Sequence, residues 1–240
     1  MCAHAPAART DRGLPDTVEG MSHEHGHDGN PHSAAEWDER YSGADRLWTA
    51  QANPALIREA ADLAPGRALD VGSGEGADAR WLADRGWTVV AVDISQVALD
   101  RAAAIDSRET IVWRQADLTV DPVPSTSSGS VTTSSGSGDA GFDLVALHYF
   151  PVDIARMDVI EKLVDALVPG GTLLVVAHDA EGIRAHGHDP DAYVQPGDIA
   201  ARFADLLDVQ ILDTVPRGRP AGGVSDQRHM DDVVLKARRK

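Results

Sequence analysis

The sequence predicts an α/β protein built around a mostly parallel β-sheet. From residue 67 onward, short apolar segments alternate with segments of helical periodicity, which is the pattern of repeated strand–helix–strand units. A glycine-rich turn, residues 72–76, follows the first apolar segment directly. With 240 residues, the chain can bury the core of one such domain and carry additional segments.

Two helices are predicted ahead of the sheet, over residues 33–66. Ser33 and Glu36 have the spacing of a capping box, which marks the start of the first helix. Asn53-Pro54 combines a favourable N-cap with proline at the first helical position. Pro65-Gly66 is expected to end this second helix, just before the first strand.

The core, residues 67–240, alternates strands with helices that begin or end at recognisable caps and breakers. The predicted strands are 67–71, 88–92, 110–114, 142–147 and 172–177, followed by 209–215 and 233–237. The predicted helices are 77–85, 96–105, 154–168 and 198–207, and Pro169-Gly170-Gly171 is expected to end the third.

Two segments differ in composition from the rest of the chain. Residues 1–32 show no hydrophobic periodicity and are predicted to form a disordered, His-rich arm, in which His23, His25 and His27 have chelating spacing. Residues 122–141 consist mostly of Ser, Thr, Gly and Pro, the composition of a flexible linker. We expect a tolerated surface insertion there, with a lid over the functional site as the alternative.

Composition restricts the partners of this chain. A net charge of −16 would repel a polyanionic nucleic acid over most of the surface. Cys2 is the only cysteine, so an intramolecular disulfide and a cysteine-based zinc site are excluded. No apolar run reaches membrane-spanning length, and residues 1–14 lack the apolar part of a signal peptide. These observations predict a cytoplasmic protein with neither nucleic-acid nor membrane partners.

The glycine-rich turn predicts a cofactor-binding loop. Gly72, Gly74 and Gly76 let the backbone turn sharply and approach a ligand closely, and the next helix presents free N–H groups at its start. The carboxylate of Asp70 would repel a pyrophosphate but suits an ammonium group. This spacing of acid and glycines resembles motif I of the class I S-adenosylmethionine (SAM)-dependent methyltransferases. SAM carries both an amine and a sulfonium.

A nicotinamide dinucleotide is the alternative cofactor. Gly72, Gly74 and Ala77 also satisfy the dinucleotide-binding fingerprint, and Asp93 lies near the expected position of its ribose-binding acid. Asp70, however, has no place in that fingerprint. The Tyr-x-x-x-Lys pair of a short-chain dehydrogenase is also missing from the sequence. The sequence therefore favours SAM.

The resemblance implies a Rossmann-like fold: a seven-stranded, mostly parallel sheet with helices on both faces and a terminal antiparallel β-hairpin. It implies that Asp93 accepts hydrogen bonds from both ribose hydroxyls and that Asp117 lies near the adenine amino group. Glu75, within the loop, is expected to face solvent. The implied cofactor-binding residues are Asp70, Gly72, Ser73, Gly74, Gly76, Asp93, Ile94, Asp117 and Leu118.

Histidines follow two neighbouring strands of the predicted sheet. His148 and Tyr149 end the fourth strand and His178 ends the fifth, so both histidines should face one crevice. In the family that the sequence resembles, the methyl acceptor lies near the end of the fourth strand. His148, Tyr149 and His178 are therefore the candidate catalytic residues, with His148 as the leading general base. A purely structural cap is the alternative for His148, and no metal site is predicted, His186-Gly187-His188 being taken as a polar loop.

An aromatic group precedes the glycine-rich turn. Trp37 and Tyr41 lie four residues apart on one helical face, and Trp48 follows. The stretch Trp37-Asp38-Glu39-Arg40-Tyr41 resembles the lid of thiopurine and tellurite-resistance-type methyltransferases. The same spacing is equally typical of a helix that packs on a core.

These patterns predict a SAM-dependent methyltransferase that acts on a small molecule. Methylases of nucleobases or glutamine carry Asn/Asp-Pro-Pro-Tyr after the fourth strand, and this chain has His148-Tyr149-Phe150-Pro151 instead. Sulfur is slightly favoured over oxygen or nitrogen as the acceptor atom because of the lid resemblance. The alternatives are a catalytically silent SAM-binding regulatory or partner subunit and, less favoured, an NAD(P)-dependent oxidoreductase.

Overall fold

The computed structural model describes residues 33–43, 47–125, 141–185, 187–216 and 231–240. The predicted arm at 1–32, most of the insertion at 122–141, and His186 lie outside the described residues.

The elements follow the predicted alternation. The strands are β1 (Arg67–Val71), β2 (Thr88–Asp93), β3 (Ile111–Gln115), β4 (Phe142–His148), β5 (Leu167–His178), β6 (Leu207–Pro216) and β7 (Asp231–Arg239). The α-helices are α1 (Ala34–Ser42), α2 (Pro54–Ala60), α3 (Ala77–Ala83), α4 (Gln96–Ile105), α5 (Met157–Asp165), α6 (Ala180–Ala185) and α7 (Pro196–Arg202). Single 3-10 turns lie at Ile154–Arg156 and Pro190–Ala192.

The predicted caps start the first two helices. The Ser33 hydroxyl accepts a hydrogen bond from the Glu36 N–H, and the Glu36 carboxylate accepts one from the Ser33 N–H, which completes the capping box of α1. Asn53 caps α2 through its side-chain oxygen, with Pro54 at the first helical position. Both helices therefore begin where their local sequence predicts.

The seven strands form one sheet in the order β3-β2-β1-β4-β5-β7-β6. The first five run parallel, β7 runs antiparallel to β5, and β6 pairs antiparallel with β7. This confirms the predicted seven-stranded, mostly parallel sheet with a terminal antiparallel hairpin. The strand order reverses between β1 and β4, so the ligand crevice of such a sheet lies at the carboxyl end of β1.

Apolar side chains cover both faces of the sheet, as the prediction of helices on both faces requires. Alternate residues of each buried strand point to opposite faces, so Ala68 and Leu69 belong to different core clusters. One face packs against α5 and α7, and includes Leu69, Val145, Ile160, Leu163, Leu173, Ile199 and Leu235. The other packs against α2 and α3, and includes Leu56, Ala79, Leu82, Trp87, Leu174, Val176 and Val234.

The structure corrects two predicted boundaries. The helix expected at 154–168 is a 3-10 turn followed by α5, which ends at Asp165. Strand β5 starts at Leu167 and includes Pro169-Gly170-Gly171, because Leu167 pairs with Phe142 of β4 ahead of a register shift. Pairing with a distant strand thus outweighs the local helix-ending signal.

The last predicted helix is also displaced. Helix α7 ends at Arg202, and Leu207 begins β6 opposite Arg239 rather than ending the helix. The short helix α6 was not predicted. Among the described residues, no helix has the length and apolar character needed to cross a membrane.

Gly76 generates the first prediction. It has a φ of +76° at the start of α3, and a Cβ there would lie 2.3 Å from the Trp113 ring and 3.1 Å from the Ala102 Cβ. We expect Gly76→Ala to lower the free energy of unfolding by about 2 kcal/mol or more, through overpacking and backbone strain. Urea denaturation measures this change.

Gly197→Ala is the matched control, since a Cβ at Gly197 meets nothing within 4 Å. Its stability should be unchanged or slightly higher, because alanine favours the helix. Equal stability of the two variants would contradict the packing argument.

Candidate functional site

The glycine-rich loop returns to the sheet immediately after β1. The N–H groups of Gly72 and Ser73 both donate to the carbonyl oxygen of Val92, at 2.8 and 3.0 Å. Gly72, Gly74 and Gly76 all have positive φ, at 70°, 52° and 76°. The loop is therefore a sequence of left-handed turns held against the end of β2, a conformation that glycine adopts without strain.

Asp93 lies at the end of β2 and fastens this loop. Its Oδ2 accepts the Gly74 N–H at 2.7 Å, and its Oδ1 accepts the Ser95 N–H at 2.9 Å. Burial raises the pKa of Asp93, while the backbone N–H donors oppose that shift. Each oxygen keeps a second lone pair, so the carboxylate can also accept a hydrogen bond from a ligand hydroxyl.

Asp70 is a buried acid without enough compensating charge. The residue is 2% exposed, and its Oδ2 has no hydrogen-bond partner. Burial, followed by the negative charges of Asp78 and Asp93, raises the pKa of Asp70 well above its usual value. A cationic group placed beside this oxygen would relieve both the repulsion and the missing hydrogen bond.

Asp78, which the sequence analysis missed, connects three elements. Its Oδ1 accepts the N–H of Asn53, before α2, at 2.6 Å, and its Oδ2 lies 2.6 Å from Nδ1 of His148, at the end of β4. Since a carboxylate only accepts, Nδ1 is the donor. Asp78 itself lies in the first turn of α3, where negative charge is favourable. The sequence shows that Asp78 is an acid in the first turn of a helix, but it does not show the contacts with Asn53 and His148.

Asp70, Asp78 and His148 also have the composition of a metal site. Within the described part of the chain, one ligand atom from each residue lies within 4.8 Å of the others. Both oxygens of Asp78 already accept hydrogen bonds, one of them from His148. We therefore assign the cluster to positioning of the surrounding segments.

The predicted lid residues lie over the glycine-rich loop. Tyr41 is buried, and its hydroxyl accepts a hydrogen bond from Trp48 Nε1 at 2.9 Å. A Cβ at Gly74 would lie 2.8 Å from that hydroxyl. The Trp37 ring packs 6.0 Å from the Tyr41 ring, centroid to centroid, and Arg40 lies over Trp37 at 5.2 Å. None of these three aromatic residues belongs to the two core clusters, so they form a separate group above the loop.

Two carboxylates fasten this aromatic group to the loop and to α4. Glu75 Oε2 accepts the N–H groups of Leu47 and Trp48, both at 3.2 Å, and Oε1 pairs with Arg101. The expectation that Glu75 faces solvent is wrong, because its side chain is 11% exposed and tied to residues far along the chain. Asp38 accepts the Ser95 hydroxyl and the Val97 N–H.

A second polar group lies at the carboxyl ends of β4 and β5. His148 pairs with Val176, so His148 and His178 point to the same face of the sheet. The Tyr149 ring stacks on the His178 ring at 4.4 Å, and its hydroxyl donates to Oδ2 of the buried Asp232 at 2.8 Å. Sequence analysis named both histidines and Tyr149 but missed Asp232, the second residue of β7.

The third predicted cofactor segment follows β3. Asp117 is half-buried, and its Oδ1 accepts the N–H and hydroxyl of Thr119 in a local turn. Leu118 is buried, and the carbonyl of Ile94 accepts a hydrogen bond from Gln115. These residues lie at the same edge of the sheet as the glycine-rich loop.

Comparison with known proteins matches residues 32–215 to the family described as thiopurine S-methyltransferase. The chain belongs to this family. An uncharacterized methyltransferase of Mycobacterium tuberculosis and one of Mycobacterium bovis are each 32% identical to it over 145 residues. The alignment covers 58% of this chain and 65% of the relative, a little less than two thirds.

Solved structures share the fold of this family member. N-methyltransferase NodS from Bradyrhizobium japonicum, in complex with S-adenosylhomocysteine, has a TM-score of 0.61 and 20% identity, over 87% of this chain and 99% of NodS. TehB from Haemophilus influenzae has a TM-score of 0.57 and 14% identity, over 86% of this chain and 67% of TehB. The [4+2]-cyclase SpnF has a TM-score of 0.58 and 17% identity, over 86% and 97%. These likenesses establish the architecture, and the family match confirms the predicted resemblance to the thiopurine-type methyltransferases.

The residues of this methyltransferase-family chain fit SAM. The buried, partnerless oxygen of Asp70 suits the ammonium of the methionine part. The free lone pairs of Asp93 suit ribose hydroxyls. At Gly72 and Gly74 a Cβ would lie 3.0 Å from the Phe150 ring and 2.8 Å from the Tyr41 hydroxyl, so the absence of a Cβ lets these side chains pack against the loop. Asp70, Asp78 and Asp93, which lie around the start of the loop, would repel a pyrophosphate.

Asp70→Asn should make the protein more stable at neutral pH. A raised folded-state pKa means that the carboxyl group contributes stability below its unfolded pKa of about 3.9, which is lost as the pH rises. The neutral amide escapes that loss, so the melting temperature at pH 7 should rise by a few degrees, at about 2–4 °C per kcal/mol. The difference from the wild type should shrink as the pH falls toward 4.

Asp62 is exposed, so Asp62→Asn is the matched control. It should change neither the melting temperature at pH 7 nor its dependence on pH. Calorimetric SAM binding should weaken in Asp70→Asn and stay normal in Asp62→Asn. A less stable Asp70→Asn protein at pH 7 would refute the assignment of Asp70 as an uncompensated acid.

His148→Ala should destabilise the protein. It leaves Oδ2 of Asp78 without its donor in a site where the His148 side chain is 5% exposed, at a cost of about 1–3 kcal/mol. His148→Gln supplies an amide donor and should recover most of that loss. Thermal denaturation of both variants measures the effect, and an Ala variant as stable as the wild type would exclude the positioning role.

Proposed function

We propose that this chain transfers the methyl group of SAM to a small-molecule acceptor, with sulfur slightly favoured over oxygen or nitrogen as the acceptor atom. One observation carries the proposal: a loop of left-handed glycines between β1 and α3 lies between the buried acids Asp70 and Asp93. Membership of the thiopurine S-methyltransferase family supports it independently.

The protein's task in such a reaction is alignment and exclusion of water. Bound SAM supplies a methyl group that its sulfonium already activates for in-line displacement. Asp70 would orient the methionine part of the cofactor and Asp93 its ribose. The aromatic group of Trp37, Tyr41 and Trp48, tied to Glu75, would cover the loop and keep water out. Arg40 extends this cover over two of the rings.

The acceptor would bind beyond the ends of β4 and β5. His148, Tyr149 and His178 lie there on one side of the crevice. The described surface carries many exposed acids, and the chain as a whole has a charge of −16, which disfavours polyanionic acceptors. The family description names a sulfur acceptor, in agreement with the preference for sulfur.

Asp93→Ala tests the cofactor assignment. Losing charge-assisted hydrogen bonds of roughly 1.5–3 kcal/mol each should weaken SAM binding at least tenfold in calorimetry. Asp100→Ala, an exposed acid on α4, is the control and should bind SAM normally. Unchanged affinity in Asp93→Ala, or tight NAD(H) binding by the wild type without SAM binding, would reject the proposal.

Turnover is tested by incubating the wild type with SAM and a panel of thiols, phenols and amines. The expected result is that the wild type releases S-adenosylhomocysteine with at least one thiol. Asp93→Ala should show no such release at limiting SAM. Tight SAM binding with no release for any acceptor would instead identify a silent SAM-binding subunit.

A further inference from the structure

Asp232 and His178 present two buried polar atoms to each other. His178 ends β5, and Asp232 is its antiparallel partner on β7. Nδ1 of His178 lies 3.7 Å from Oδ1 of Asp232, and each atom is buried without a hydrogen-bond partner. Buried polar groups rarely stay unpaired, and catalytic hydrogen bonds are often long until a substrate binds. A movement of less than about 1 Å would satisfy both atoms at once.

Tyr149 holds this pair in place. Its hydroxyl occupies the other oxygen of Asp232 at 2.8 Å, and its ring stacks on His178 at 4.4 Å with 23° between the planes. Tyr149 has a φ of 53°, which is uncommon outside glycine and clusters at functional sites. Tyr149 thus occupies Oδ2 of Asp232 and one face of the His178 ring. Oδ1 of Asp232 is left to face Nδ1 of His178.

The two histidines of the site differ in accessibility. The His148 side chain is 5% exposed; its Nδ1 contacts Asp78, and its Nε2 is buried. The His178 side chain is 31% exposed although its Nδ1 is buried, so its accessible surface belongs to the rest of the ring. His178 is therefore the histidine that an acceptor can reach.

We infer that Asp232 is a positioning residue that holds His178 with Nδ1 protonated and Nε2 free to act as the base, and that the acceptor is a neutral S–H or O–H compound. This rests on the proposed methyltransferase function and deepens it. An acceptor that is already an anion needs no base, whereas a neutral thiol or phenol must lose a proton when its methyl bond forms.

The proton and electron balance of the step is complete without another reactant. The acceptor's sulfur or oxygen forms a bond to the methyl carbon, and the bond from that carbon to the sulfonium sulfur breaks, leaving its electron pair on sulfur. The acceptor's proton moves to Nε2 of His178. The imidazolium that results faces the carboxylate of Asp232, and the proton passes to water after the products leave.

Within the described parts of the chain, the charged residues next to the His178–Asp232 pair are Asp179 and Asp231. Asp179, the next residue, caps α6 by accepting the Gly182 N–H. Asp231, which precedes Asp232, is exposed, and its carbonyl accepts the Asp179 N–H. Tyr149 contributes its ring and the hydroxyl bonded to Asp232. Asp232 is thus the carboxylate directed at the imidazole.

Asp232→Asn tests the assignment with two thiols: an alkyl thiol that is neutral at the assay pH and an aromatic thiol that is ionised. We expect turnover of the alkyl thiol to fall on the order of 10²-fold, because the amide permits the wrong tautomer. Turnover of the ionised thiol and the SAM affinity should change by less than about threefold. Asp231→Asn, on the same strand, is the matched control and should resemble the wild type with both thiols.

A second measurement is independent of turnover. Nitrogen-15 chemical shifts should show His178 with the proton on Nδ1 in the wild type, and a mixture of tautomers in Asp232→Asn. If Asp232→Asn does not fold, Tyr149→Phe is tested in its place. Its turnover should again fall with the neutral thiol only. Equal losses for both thiols, or a wild-type His178 protonated on Nε2, would overturn the inference. A wild type that methylates no thiol or phenol while binding SAM would instead count against the proposed function.

Discussion

The return of the glycine-rich loop onto the end of β2 is the constraint on which the rest of the site depends. The N–H groups of Gly72 and Ser73 both donate to the carbonyl oxygen of Val92. The N–H of Gly74 donates to the carboxylate of Asp93. Left-handed backbone at Gly72, Gly74 and Gly76 closes the loop in this space, and this is why glycine occupies these three positions. The Tyr41 hydroxyl can approach Gly74 closely because Gly74 has no Cβ.

Closing the loop in this way concentrates negative charge. Asp70, Asp78 and Asp93 meet behind it, and burial raises the pKa of Asp70 and of Asp93. The protein offsets part of this cost with backbone N–H donors and with the imidazole of His148. The remainder, at Asp70, is a destabilising feature that a cationic ligand would relieve. Such a trade of stability for binding is common at functional sites.

The architecture could be predicted from the sequence because it depends on local patterns. Apolar periodicity located all seven strands, and the Ser33 and Asn53 caps located the first two helices. Prediction failed where a distant partner decided the outcome: Leu167 joined β5 because it pairs with Phe142, and Glu75 turned inward to meet the backbone at residues 47–48. Local propensity carries no information about either contact.

By itself, the sequence determined the class of protein: the order of strands and helices, the glycine-rich loop with Asp70 and Asp93, and the methyltransferase resemblance all follow from neighbouring residues. The tertiary structure decided how side chains far apart in the chain work together. Asp78 meets His148, and Asp232 meets His178 and Tyr149, only because β1, β4, β5 and β7 lie side by side. A hydrogen bond between distant residues depends on strand order and register, and neither is written in any single segment of the chain.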